Sequence, residues 1–124
     1  MRIFKTKFFA RFARKNTISD FSLENAIRKL QSCVDLGGGV LKFRLARSGE
    51  GKSGGFRTVV LYRRGNNAYF VYGFAKNELD NIDKDDLRRF RALAKEMLSY
   101  GDQRIEDALD AGELEEIIYS KDTL

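Results

Sequence analysis

Apolar positions along this 124-residue chain change their spacing several times, and each change marks an element. Residues 2–5 fit a short first strand. A basic helix follows, with Phe8, Phe9 and Phe12 turned inward and Arg11, Arg14 and Lys15 on its solvated face. Ser19, Asp20 and Ser22 are helix-starting residues. From there Leu23, Ala26, Ile27, Leu30 and Val34 recur at helical spacing, and Cys33 falls inside that pattern. Gly37, Gly38 and Gly39 then stop the helix, because glycine accepts the left-handed cap without strain.

The period next becomes two. Leu41, Phe43 and Leu45 point one way, and Lys42, Arg44 and Ala46 the other. Residues 47–55 form a loop holding four glycines. Arg57, Val59 and Leu61 alternate with Thr58, Val60 and Tyr62 in a second strand. Arg64-Gly65-Asn66-Asn67 is a hairpin signal. Residues 68–76 make a third strand, with Phe70, Tyr72, Phe74 and Lys76 expected on one face and Tyr69, Val71, Gly73 and Ala75 on the other. The three strands should form an antiparallel meander.

Asn81 or Asp83 caps the next helix, whose buried stripe is Leu87, Phe90, Leu93, Ala94 and Met97. A weaker helix with Ile105 and Leu109 follows Gly101, and residues 113–119 fit either strand or helix. This order predicts an α+β fold: N-terminal helices packed on an antiparallel-rich sheet, then C-terminal helices. It does not alternate strand and helix as a doubly wound parallel sheet requires. One domain over residues 1–124 is expected, with no linker or repeat inside it.

Charge sharpens the picture. Residues 1–76 hold 16 Lys/Arg against 4 Asp/Glu, and residues 77–124 hold 7 against 14. A polyanion is a natural partner for the first part. The chain has no histidine, so Ser-His-Asp and Cys-His nucleophiles and histidine zinc sites are excluded. Its one cysteine, Cys33, reads as a core thiol. No apolar stretch is long enough to span a membrane, and no signal-peptide core opens the chain, so a cytoplasmic protein is expected.

The candidate chemistry is cationic. Lys42 and Arg44 share a strand face, and Arg57 opens the next strand. The loop between them supplies Arg47, Lys52, Gly54 and Gly55, whose charges and N–H groups suit phosphate oxygens. It lacks the P-loop spacing and leads into a strand, so it is not a nucleotide-binding P-loop. Arg57 has the planar fork that grips phosphate bidentately. Lys76 ends the third strand. Tyr62, Tyr69 and Tyr72 lie on strands, where one or two can stack on bases; Tyr100 is a further candidate to overhang the sheet.

The segments K-F-R-L-A-R-S-G-E-G-K-S-G-G-F-R at 42–57 and Y-G-F-A-K-N-E at 72–78 closely resemble the RelE/HigB family of bacterial type II toxins. The similarity runs over about residues 1–98, leaving 99–124 as a C-terminal extension. It implies the small RelE/ParE-like domain, and a toxin that is a metal-independent endoribonuclease cutting messenger RNA at the ribosome and blocking translation. It implies a helix-turn-helix antitoxin partner and no cofactor or metal. Its site falls on Arg44, Arg57 and Lys76, with Lys42 and Lys52 on the same basic surface. RNA brings its own nucleophile, the 2′-OH, so no serine, cysteine or metal is required. Arg57 would clamp the phosphate, and Lys76 or Arg44 would neutralise developing charge. Lys42 and Lys76 are the better base candidates, since arginine is too basic for that role. Two other readings stand beside it: a non-catalytic nucleic-acid or ribosome-binding module that uses the same basic sheet, and a ParE-like inhibitor of gyrase, which would not need a phosphate-cleaving cluster.

Overall fold

The computed structural model describes residues 1–29, 33–45, 55–75 and 82–118. The chain opens with β1 (Ile3–Thr6), which turns directly into α1 (Lys7–Lys15) and then α2 (Asp20–Lys29). The hydroxyl of Thr6 caps α1 by accepting the Phe9 N–H at 3.2 Å, and Ser19 does the same for the Ser22 N–H at 3.2 Å. Next come β2 (Cys33–Asp35), β3 (Val40–Leu45), β4 (Phe56–Tyr62) and β5 (Ala68–Ala75). The chain continues through α3 (Lys84–Met97), capped by Asp83 as expected, then α4 (Asp102–Asp110) and β6 (Leu114–Glu116).

The described strands form a six-stranded sheet in the order β2-β3-β4-β5-β1-β6. Neighbours are antiparallel except β1 and β5, which run parallel. Strand alternation divides the apolar side chains into two cores. Leu41, Phe43, Phe56, Val60 and Phe70 pack with Phe9 and Ala13 of α1 and Leu23 and Ile27 of α2. Val40, Val59, Leu61, Tyr69 and Val71 pack with Ala94 and Met97 of α3 and Ile105 and Ala108 of α4. Burial of each such Leu, Val or Phe contributes roughly 1.5–3 kcal/mol before the entropy of ordering the chain is counted. The α+β class and the three-strand meander are as the sequence predicts. β2 and β6 are additions to it.

Four local expectations change. The helical pattern through Cys33 and Val34 is not a helix there: Cys33–Asp35 is a strand paired antiparallel with β3. Gly37, Gly38 and Gly39 all have positive φ and close the β2–β3 hairpin instead of ending a helix. Asp35 supports the turn by accepting the Gly37 N–H at 2.8 Å. Residues 114–116, left open between strand and helix, extend the sheet beside β1.

The third change lies in β5. Val60 pairs with Phe70 but Val59 pairs with Tyr72, so Val71 is an extra residue, a β-bulge. Strict alternation fails at that point. Phe70 faces α1, whereas Tyr72 and Phe74 share the α3 side with Tyr69 and Val71. Fourth, α1 buries Phe9 and half-buries Phe12, but Phe8 is 58% exposed. Ala10 and Ala13 are the buried partners of Phe9 and define the helix face that meets the sheet. Phe12 lies over Gly73, where a Cβ would come within 2.3 Å of its ring.

Candidate functional site

The register brings three of the expected cations together. Arg44 on β3 lies directly opposite Arg57 on β4, and Lys42 lies opposite Val59. Directly paired residues of an antiparallel ladder project to one face, so Lys42, Arg44 and Arg57 share the α3 side of the sheet. Phe74 is the β5 partner of Arg57, and Tyr72 the partner of Val59. The bulge at Val71 is what puts these two aromatics beside the arginines. A row thus runs across three strands: Arg44, Arg57, Phe74, with Lys42, Val59 and Tyr72 as the row below.

The environment of Arg57 is unusual for a structural arginine. It is half-buried, and its Nη1 is shut off from solvent with no hydrogen-bond partner among the described residues. A buried donor without an acceptor costs about 1–3 kcal/mol, more when charged. That cost falls if an anion with several oxygens reaches the Arg57 guanidinium. Phosphate has the matching geometry.

An aromatic group walls the site on one side. Tyr72 is half-buried; its ring stacks on Phe8 at 5.7 Å between centroids and 9° between planes. Phe74 at 6.0 Å and Phe90 of α3 at 5.7 Å hold it from other directions. The sequence pattern placed Phe8 in the core. Its true position was legible in one signal: with Phe9, Ala10 and Ala13 setting the buried arc at about 100° per residue, Phe8 falls on the opposite arc with Arg11 and Lys15.

Gly55 is buried and immediately precedes β4, so it leads the chain into Arg57. Lys76, Arg47, Lys52 and Gly54, named above as site residues, lie outside the described residues. Tyr100 is not near the arginines. It packs edge-on against Tyr69, 6.4 Å between centroids, with the Arg104 guanidinium 4.6 Å from its own ring centre. Tyr69 pairs with Leu61, and Leu61 with Val40, which is the other end of β3 and β4.

At that other end is a cavity of about 480 Å³, lined in part by Cys33, Asp35, Tyr62, Arg63 and Arg64. Burial first, and then the Asp35 carboxylate, push the Cys33 thiol above its usual range. It is therefore mainly protonated at neutral pH, which suits a packing role and not a nucleophile. Among the described residues no group of three or more His, Cys, Asp or Glu side chains is placed to hold a metal ion. Among them, too, no helix is long and apolar enough to cross a membrane.

The family model described as the RelE toxin of the RelE / RelB toxin-antitoxin system matches residues 1–117. No curated protein matches the chain.

Proposed function

This chain belongs to the RelE toxin family, and on that footing we propose that it is a metal-independent endoribonuclease that cuts messenger RNA at the ribosome. It is the toxin of a toxin–antitoxin system and pairs with an antitoxin. In our reading the antitoxin is a helix-turn-helix protein, and the toxin acts in the cytoplasm, where its substrate is translated.

The observation that carries this reading is the Arg44–Arg57 pair on the Lys42 face, with the buried Nη1 of Arg57 unpartnered among the described residues. In the proposed reaction the RNA 2′-oxygen attacks the adjacent phosphorus. The new P–O2′ bond forms as the P–O5′ bond breaks, leaving a 2′,3′-cyclic phosphate and a 5′-hydroxyl. A base must accept the 2′-OH proton, and an acid must supply one to the departing 5′-oxygen. Charge grows on the non-bridging oxygens meanwhile. Arg57 grips those oxygens, and Arg44 adds a second cation at the same point. Lys42, and Lys76 at the start of the segment after β5, are the proton-transfer candidates. Arg47, Lys52, Gly54 and Gly55 bind the flanking backbone. No group in this scheme comes from a metal or a nucleophilic side chain.

The test is inducible expression of the unchanged chain and of Arg57→Ala, with mapping of transcript ends. Loss of an oriented charge donor to a developing oxyanion lowers turnover by about a hundredfold or more. Arg57→Ala should therefore abolish growth arrest and transcript cleavage, while antitoxin pairing and the circular-dichroism spectrum stay as they were. A fully toxic Arg57→Ala chain would overturn the assignment. Growth arrest by the unchanged chain with intact transcripts would favour a purely binding module, and gyrase-dependent DNA damage the ParE-like activity.

A further inference from the structure

We infer that Phe8 is a platform on which a base of single-stranded RNA stacks, next to the phosphate held by Arg57; this deepens the nuclease reading and rests on it. The inference starts from an exposed aromatic that does not behave like a stray surface residue. Phe8 leaves 58% of its surface in solvent. Yet its ring is held nearly parallel to Tyr72, 9° between planes. Tyr72 is itself fixed by Phe74 and Phe90. One face of Phe8 is therefore buttressed by a column that ends in the protein interior, while more than half of the residue's surface stays accessible to solvent. A rigid, flat, apolar surface of this kind loses little entropy when a base settles on it.

Its position follows from β1 ending early. β1 pairs with β5 only as far as Lys5 and Phe70. The remaining half of β5 meets α1 instead of a strand, so the first turn of α1 reaches Tyr72 across that edge. Phe74 lies between Tyr72 and the register position of Arg57. Phe8 is thus on the cationic site's own rim. The helix arc that carries it also presents Arg11 and Lys15, three and seven residues on, both exposed. A strand whose phosphate lies between Arg44 and Arg57 can lay a neighbouring base on Phe8 and run its backbone past Arg11 and Lys15. Charge is what selects RNA over an apolar protein partner as the occupant. An antitoxin side chain on the same ring is the competing outcome.

The test uses the full-length chain and a single-stranded RNA with 2′-O-methyl sugars, which cannot supply the nucleophile. The RNA carries 2-aminopurine, whose fluorescence falls on stacking. The unchanged chain and Phe8→Tyr should bind and quench. Phe8→Leu should bind roughly five- to a hundredfold more weakly and lose the quench. Because Phe8 is mostly exposed, Phe8→Leu should melt close to the unchanged chain. As a readout independent of that substitution, Arg11→Gln should reduce the slope of log K against log salt by about 0.7. Equal binding and quenching by Phe8→Leu would overturn the platform. If Arg57→Ala is still inactive in cells, the nuclease reading survives that result. No binding or quenching by the unchanged chain, or a Phe8→Leu defect confined to antitoxin pairing, also overturns it. A fully toxic Arg57→Ala would remove the nuclease reading first, and the platform with it.

Discussion

Arg57 is a poor choice for stability where it stands. It keeps one buried nitrogen without an acceptor among the described residues. Replacement by methionine removes the buried, unpaired donor and keeps an unbranched apolar side chain about as long as the arginine's aliphatic stem. Arg57→Met should therefore unfold at higher urea concentration, by about 0.5–2 kcal/mol, while transcript cleavage is lost. Equal or lower stability would mean that Arg57 is held by contacts it does not show here. Gly73 poses the reverse case, since the Phe12 ring occupies the space a Cβ needs, at 2.3 Å. Gly73→Ala should cost about 1–3 kcal/mol by urea denaturation, because ring and helix must move together. The shared face of Lys42, Arg44 and Arg57 was legible, because alternation in β3 and β4 is unbroken. Phe8 was harder to read, because three phenylalanines near one another suggest one buried stripe. The two alanines that define the real face carry a weaker hydrophobic signal.

Short elements were the hardest to read. β2 is three residues long, and its Val34 sits at the spacing that Leu23 and Ile27 had set up. Pattern counting extends a helix through such a segment, since three residues are too few to show a period of two. The bulge at Val71 was hidden for a related reason: Phe70, Tyr72 and Phe74 alternate perfectly in sequence, and only the pairing with β4 reveals the extra residue. The glycine triplet was recognised as a stop signal, but the same positive φ serves a hairpin equally well. Gly39 gives a test of the hairpin. Its φ is 85°, and a Cβ there would meet Leu98 Cδ1 at 2.8 Å. Gly39→Ala should lower stability by about 1–3 kcal/mol in urea titration, with both strain and crowding contributing. An unchanged midpoint would show that the turn relaxes freely.

Across the molecule, the sheet is closed by its first strand. β1 lies between β5 and β6, and Arg2 just before it donates to Glu116 at 2.8 Å and Glu106 at 3.1 Å. The hydrogen bond from Arg2 holds the Glu116 carboxyl below its usual value of 4.5. The folded form therefore binds the Glu116 proton less readily than the unfolded form. This contribution is complete above about pH 4.5 and disappears as pH falls through the lowered folded value. Glu116→Gln should flatten that acid limb in melts run at successive pH values, with a loss of about 1 kcal/mol or less at neutral pH. An identical acid limb in the variant would assign the effect to other carboxylates. The sequence disclosed the class and the order of the long elements, because those depend on local periodicity. It did not disclose that β1 is interior and parallel to β5, because that pairing joins residues 3 and 68. The same placement has a consequence for synthesis. β1 has flanking partners at residues 68–70 and 114–116, the second of them more than a hundred residues further along the chain. Closure must wait until residues 114–116 have been made, and contacts so distant form slowly. A cell making this toxin thus has an interval, set by topology, in which a partner already present can meet the nascent chain before its sheet is complete.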